Sequence, residues 1–328
     1  MEKMFTFNPS SYAREFTEKG FVLIPQGVTE EFHNYMVEQV ENYRQPKVLK
    51  EFAIGNKQQS LFEFPDNSDS LNQLFEMVGG VTGLDSKRLV LSERHIKSYE
   101  SDAAPNPLAH KDRYASEISV GLSIHVPKGS KLVLYPYDHL EVNPFNSAAG
   151  LRASFSPDQH PEGYLETARK VVYSDSPRDV LLFRGNAVWH LRSNPANTVN
   201  LYLKLNSFNC DPIGEDPTTE MTRKRTLEAL TMSDDVLLNL IPMIGRRVDY
   251  VHRQCTRQWD EIFGVVLWGE SHFTIDEQEF AALKTMDGKR NVRSVLAQMN
   301  GSTNQTGCLS KIRRLAARGV VDLVPALD

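Results

Sequence analysis

From about Leu89 to Phe208 the chain places apolar residues at every second position, and no other feature of its 328 residues narrows the choice of fold so far. Ile118, Val120, Leu122, Ile124 and Val126 alternate with Ser119, Gly121, Ser123 and His125. Successive side chains of a strand point to opposite faces, so this run predicts a strand with one greasy face and one small or polar face. Lys131 to Tyr135, Lys170 to Tyr173, Val180 to Phe183, Ala187 to Leu191 and Thr198 to Phe208 read as further strands, separated by Pro, Gly, Asn and Asp. Many short strands without intervening helices predict a sandwich or jelly roll.

The flanks carry helical patterns. Gly20 precedes the apolar run Phe21-Val22-Leu23-Ile24, which Pro25 stops, and Val28-Thr29-Glu30-Glu31 opens a helix with Phe32, Met36, Val37 and Val40 on one face. Ser70 to Val78 predicts a second helix ending at Gly79-Gly80. Beyond Asp211-Pro212, the stretches Pro217 to Asn239 and Ile244 to Phe263 read as helices, with Pro242 and Gly245 between them. In the tail, Thr274 and Glu277 have capping-box spacing for a helix running to Asp287-Gly288. Asn291 caps a second helix carrying Val292, Val295 and Leu296. Leu309, Ile312, Leu315 and Ala316 make a third, closed by Gly319, before a final strand from Val320 to Val324. The expected architecture is therefore mostly β with flanking helices. It has a double-stranded β-helix (jelly-roll or cupin-like) core over 1–212, a helical connector over 213–264 and a small winged-helix-like module over 265–328.

Composition excludes several function classes. An apolar content of 40% with 24% charged residues belongs to an ordinary globular protein, not to a disordered or fibrous chain. A formal charge of −5 argues against gripping nucleic acid by its phosphates. The longest apolar runs are too short to span a bilayer, and Met1 to Ser10 lacks the basic start and apolar core of a secretory signal. Cys210, Cys255 and Cys308 lie far apart with no CxxC spacing, so neither a cysteine zinc site nor a disulfide framework is expected. The expected location is the cytoplasm, and the expected partner a small-molecule substrate.

The chemistry-bearing pattern is His110-Lys111-Asp112 together with His190. In an extended segment, residues i and i+2 point to one side, so an imidazole and a carboxylate can share one ion. A lone H-x-D is a weak signal; the distal histidine, at the end of the strand-like run Asp179 to His190, gives it weight. Two histidines and one carboxylate on one face of a metal leave the opposite positions open, which suits non-haem iron(II).

On these residues the chain resembles the phytanoyl-CoA-dioxygenase-like branch of the iron(II)/2-oxoglutarate oxygenases. Glu18-Lys19-Gly20-Phe21-Val22-Leu23-Ile24-Pro25 followed by a helix resembles that family's opening, as do His110-x-Asp112 and Gly185-x-x-x-Trp189-His190. The resemblance covers roughly 10–210. It implies a double-stranded β-helix that binds Fe(II), 2-oxoglutarate and O2. It also implies hydroxylation of an unactivated C–H bond with release of succinate and carbon dioxide, and the intact Asp112 favours hydroxylation over halogenation. The family pairs the far carboxylate of 2-oxoglutarate with a cation, usually an arginine on the strand after the second histidine. No arginine lies between Ser193 and Phe208. Lys204 is the candidate in its place, as a point charge where arginine would give a fork; Arg192 is the fallback and Tyr202 a pocket candidate. His95 and Tyr99 are candidates to line the substrate pocket but read more simply as structural residues, Arg223-Lys224-Arg225 reads as a solvated helix face, and Tyr135 to Phe155 as a lid.

Substrates that fit are a small metabolite, an amino acid or a natural-product intermediate. The tail loosely resembles peptide-recognition modules of the PqqD type through Asp287-Gly288-Lys289-Arg290-Asn291-Val292, which would make the substrate a residue within a peptide. A homodimer formed through the C-terminal region, or a buttress for the active site, is at least as good a use for it. Two further readings stay open: a cupin-like metalloenzyme that does not use 2-oxoglutarate, and a non-enzymatic binding or regulatory protein.

Overall fold

The computed structural model describes residues 3–42, 57–65, 67–136, 141–268, 272–299 and 305–326. The chain divides into two compact units, Met1–Phe208 and Asn209–Asp328.

The first unit carries strands β1 (Phe21–Ile24), β2 (Lys57–Leu61), β3 (Val90–Tyr99), β4 (Ile118–His125), β5 (Lys131–Tyr135), β6 (Val171–Tyr173), β7 (Val180–Phe183), β8 (Trp189–Ser193) and β9 (Val199–Asn206). They form a six-stranded sheet in the order β1-β7-β4-β9-β3-β2 and a three-stranded sheet in the order β6-β5-β8. Every pairing is antiparallel. Phe21, Leu181, Phe183 and Tyr202 of the larger sheet share a cluster with Leu132 and Leu134 of the smaller one, so the two sheets face each other as in a jelly roll.

The alternation along β4 and β9 decides which face meets what. Ile118, Val120, Leu122 and Ile124 of β4 join Leu201, Leu203 and Leu205 of β9 in the main core. That core is closed from outside by α1 (Ala13–Lys19), α2 (Glu30–Asn42) and α3 (Asn67–Thr82), through Phe16, Phe32, Met36, Leu74 and Val78. Gly20, in the left-handed region at φ 76°, ends α1 and turns the chain into β1. Gly79 and Gly80 do not end α3 as expected. They lie inside it because neighbours approach too closely for a side chain: a Cβ on Gly80 would stand 2.7 Å from Pro9. On the outer face of the smaller sheet, α4 (Ala148–Ala153) and α5 (Glu162–Leu165) contribute Leu151 and Leu165 to a cluster with Val133, Tyr135 and Trp189. The opposite faces of β4 and β9 carry Ser119, Gly121 and Ser123 and Asn200, Tyr202 and Lys204, and they line the space between the sheets.

The second unit contains α6 (Thr219–Ala229), α7 (Asp234–Asn239), β10 (Ile241–Ile244), β11 (Val248–Cys255), β12 (Glu261–Leu267), β13 (Phe273–Ile275), α8 (Glu277–Thr285), α9 (Val292–Met299), α10 (Gln305–Ala317) and β14 (Val321–Val324). The helix expected from Ile244 to Phe263 is instead the β11–β12 hairpin. Its tip uses Trp259 at φ 68° where a glycine would have announced the turn. The predicted break at Pro242 is β10, which pairs with the predicted final strand β14. The box capping α8 is Asp276 with Glu279, two residues later than Thr274 and Glu277, because Thr274 is paired within β13. Asn291 does accept from Ser294 N–H at the start of α9, and Gly319, at φ 81°, follows α10. Ala229, Leu237, Val248 and Phe263 share one core with Leu283, Leu296, Leu309 and Ile312. Residues 213–264 are thus half of a unit and not a separate connector. Arg223 is no solvated side chain either, since it donates to the carbonyls of Ala316 and Ala317 at the end of α10. All three cysteines are free. Among the described residues no helix is long and apolar enough to cross a membrane.

Each fully buried leucine or isoleucine of the outer core is worth about 1.5–3 kcal/mol of burial, while the polar inner faces return little. Stability of the first unit therefore sits on the helix-covered side. Leu203→Ala, on the central strand β9 and fully buried, should cost about 2–5 kcal/mol, read as a lowered urea midpoint at unchanged slope.

Candidate metal centre

Three side chains converge where the short segment before β4 runs beside β8. His110 and His190 face each other across an antiparallel bridge. His110 N–H donates to His190 O at 2.9 Å, and His190 N–H donates back to His110 O at 3.0 Å. Two residues on, Asp112 N–H donates to Gly185 O at 2.8 Å. The imidazole centroids stand 4.4 Å apart. His110 Nε2 lies 3.9 Å from Asp112 Oδ1, and His190 Nε2 lies 3.9 Å from Asp112 Oδ2. The three ligand atoms fall within 4.8 Å of one another. Metal–nitrogen and metal–oxygen bonds near 2.0–2.2 Å put ligands on one face about 3 Å apart, so rotations of less than about 1 Å close the site on an ion.

The donor set fits a metal chemically as well. His190 Nδ1 lies 2.9 Å from Val188 O; a ring N–H there donates to the carbonyl and leaves the Nε2 lone pair bare toward Asp112. Burial and the neighbouring His190 hold the His110 imidazole well below its usual pKa, against the pull of Asp112. Burial likewise lowers His190. Burial alone would raise the Asp112 carboxyl, but the Lys204 ammonium holds it well below the carboxylate range. Two neutral imidazoles and an ionised carboxylate are what a divalent cation requires. Their side-chain exposures are 26% for His110, 13% for Asp112 and 8% for His190, so the centre opens on the His110 side.

Asp112 is held from several directions. Ser119 Oγ donates to Oδ2 at 2.7 Å, and the Lys204 ammonium contacts the same oxygen. Gly185 has to be glycine: a Cβ there would lie 2.0 Å from Ser119 Oγ, 2.7 Å from Asp112 Oδ2 and 2.9 Å from Ser116 O. Asn186 and Asn143 tie the surrounding loops, through Asn186 Nδ2 to Tyr114 O at 2.9 Å and Asn143 Nδ2 to Asp112 O at 2.9 Å.

The space between the sheets is strongly charged, which the sequence pattern revealed only for Lys204 and Arg192. Lys204 is buried, with its ammonium 5.5 Å from the Tyr202 ring centre. Arg192, two residues beyond His190 on β8, forms its ion pair with Asp175 and not with Asp112. It forms a bidentate pair with Asp175 at 2.9 and 2.8 Å, and its Nη1 reaches Ser130 Oγ at 3.3 Å. Tyr202 and Tyr99 stand in its electrostatic neighbourhood, and burial, then Tyr202, push the Tyr99 phenol up to about 12. His95 and Tyr99, read more simply as structural residues, belong to this chamber. Glu93 pairs with Lys97 at 2.8 Å and with Arg113, and lies 3.3 Å from His95. Lys57, at the β2 edge, is brought down to about 7 by burial, then by Lys97. Pattern reasoning missed Ser119, Glu93, Lys97 and Asp175. Their only signal was the small and polar side of a strand, which does not say what it faces.

Behind the ligands, on the outer face of the smaller sheet, a cavity of about 410 Å³ is lined by Lys111, Asn143, Leu151, Phe155, Tyr164 and Trp189, among others. Lys111 and Trp189 alternate with the metal ligands along their segments, so this cavity is distinct from the charged chamber. Part of its wall comes from the stretch expected as a lid, of which 137–140 lie outside the described residues.

No family model and no curated protein matches the chain. Among solved structures it is similar to the non-haem α-ketoglutarate-dependent carbocyclase SnoK from nogalamycin biosynthesis, at 13% identity over 60% of this chain and 82% of that one, with a TM-score of 0.46. It is also similar to the epimerase SnoN from the same biosynthesis (12%, 61% and 81%, TM-score 0.44). A prolyl-4-hydroxylase from Pseudomonas putida matches at 12% identity over 60% of this chain and 96% of that one, with a TM-score of 0.39. At such identities and scores the likeness carries no argument about chemistry.

Two outcomes follow from the geometry. Ser119→Ala removes a hydrogen bond that orients a candidate ligand carboxylate and should weaken divalent-metal affinity about 10–100-fold, measured by competition with a chromogenic chelator. In metal-free protein the unfolded chain takes up protons on His110 and His190 near pH 6.5 while the native chain does not. Stability should therefore begin to fall as pH drops below about 6.5 and fall further below about pH 4, where the unfolded chain's carboxylates take up protons that native Asp112 and Glu93 still refuse. A urea midpoint constant down to pH 5 would contradict neutral native histidines.

Proposed function

We propose that the chain is an Fe(II)/2-oxoglutarate-dependent oxygenase that hydroxylates an unactivated C–H bond of a small metabolite, amino acid or natural-product intermediate. The observation that carries this reading is the His110–His190 bridge with Asp112 beside it. It supplies two neutral imidazoles and one carboxylate from one side, at the mouth of a chamber lined by ion pairs. When bound, iron with 2-oxoglutarate and O2 supplies the oxidising power, and succinate and carbon dioxide leave.

The chain's own residues prepare that chemistry. His190 is locked by Val188 O into the tautomer that presents Nε2. Ser119 and Lys204 fix the Asp112 carboxylate from the chamber side, leaving Oδ1 toward His110. Lys204 and Arg192, with Tyr202, would hold the dianionic co-substrate, Lys204 at the metal end and Arg192 at the other. The apolar cluster of Phe21, Leu134, Phe183 and Val188 keeps water from the chamber wall. The substrate approaches from the His110 side, where the centre is most exposed.

One observation favours a second reading, a metalloenzyme of the same barrel that does not take 2-oxoglutarate. Arg192, the only arginine near the expected anchor position, already spends both terminal nitrogens on Asp175. Anaerobic titration with Fe(II) and then 2-oxoglutarate separates the two. The weak visible charge-transfer band of the chelate should appear in the native protein and be absent from Asp112→Ala, which should also have lost turnover. Iron uptake with no band and no succinate on admitting O2 would leave the second reading standing; substantial activity in Asp112→Ala would refute the ligand assignment.

A further inference from the structure

In the second unit two histidines meet that the oxygenase reading does not use. His252 on β11 stands opposite Gly264 on β12, which in turn stands opposite Thr274 on β13. His272, just ahead of β13, brings its ring over the same glycine. The two imidazoles stack with centroids 4.7 Å apart and planes 21° from parallel, and their Nε2 atoms are 2.6 Å apart.

Gly264 makes this approach sterically allowed. A Cβ at that position would lie 2.3 Å from His252 Nε2 and 2.4 Å from His272 Nε2. Glycine inside a strand costs about 0.5–1 kcal/mol relative to alanine, and such a glycine marks a place where another group must come close. Here that group is a pair of imidazole nitrogens.

At 2.6 Å the two nitrogens make a short ring-to-ring hydrogen bond, one donating and the other accepting. A divalent cation that displaces the shared proton would take both Nε2 atoms. With metal–nitrogen bonds of about 2.0–2.1 Å, adjacent square-planar or octahedral positions put two nitrogens about 2.9 Å apart, within a few tenths of an ångström of where these two stand. Imidazole ligands in that geometry favour Cu2+ or Ni2+. We propose that His252 and His272 form a second metal site, binding a divalent copper or nickel ion through both Nε2 atoms. Its remaining positions go to water, since among the described residues no third histidine, cysteine or carboxylate completes a cluster there.

The site is tested by counting Ni2+ equivalents on the full-length, chelator-stripped protein by isothermal titration calorimetry. The native chain should bind two and His110→Ala one. In the His110→Ala background, His252→Ala and His272→Ala should each abolish the remaining equivalent entirely, because a chelate fails when either arm is lost. Gly264→Ala, which keeps both histidines but drives them apart, should abolish it too. Cu2+ bound to His110→Ala should show hyperfine coupling to two nitrogens by electron paramagnetic resonance. His110→Ala binding no ion would overturn the proposal, as would an equivalent that survives both histidine substitutions. Thermal unfolding without metal shows whether each variant is folded; should Gly264→Ala unfold, the two histidine variants decide alone.

Discussion

Two reciprocal backbone hydrogen bonds, His110 to His190 and back, hold the centre together. The segment around His110 belongs to no extended ladder, so these bonds, with Asp112 N–H on Gly185 O, are what fix it beside β8. Once they form, the imidazoles project from adjacent segments of the chain and Asp112 is carried to the same side. The glycine at 185 follows from that closeness, because any Cβ would collide with Ser119 and Asp112. Burying an ionised Asp112 then demands a counter-charge, and β9 delivers it from across the sheets as Lys204.

The interior of this barrel is accordingly a network of ion pairs: Asp112 with Lys204, Asp175 with Arg192, Glu93 with Lys97 and Arg113. Desolvation offsets most of the attraction in such pairs, so they contribute little net stability, yet breaking one by removing a partner costs about 3–5 kcal/mol. That is comparable with truncating a core leucine. The pairs thus fix a chamber of defined charge rather than stabilise the fold. Stability comes from the other face of the same strands, packed under α1, α2 and α3. One strand with period two serves both purposes, because its alternate residues never share a surface.

The second unit shows how local signals mislead when turn chemistry is unusual. Between Arg246 and Phe263 no glycine or proline marks a turn, so no local residue separates a hairpin from a helix there. The hairpin turns at Trp259 in a left-handed conformation, a costly choice for a large side chain. Where ordinary punctuation exists, as at Asn291 and Gly319, the helix ends fall where the residues say.

By itself the sequence determined the period of the strands, two of the helices that cap them (α2 and α3), and the identity of His110, Asp112 and His190 as residues able to share an ion. These are local facts: period, cap and ligand type are properties of near neighbours in the chain. Tertiary structure alone decided that Lys204 would meet Asp112, that Arg192 would be taken by Asp175, and that Ser119, Glu93 and Lys97 would line one chamber. Each of those pairings joins different strands or loops, and charge complementarity acts through space. A polar residue on a strand's inner face carries no mark of its partner until the sheets close.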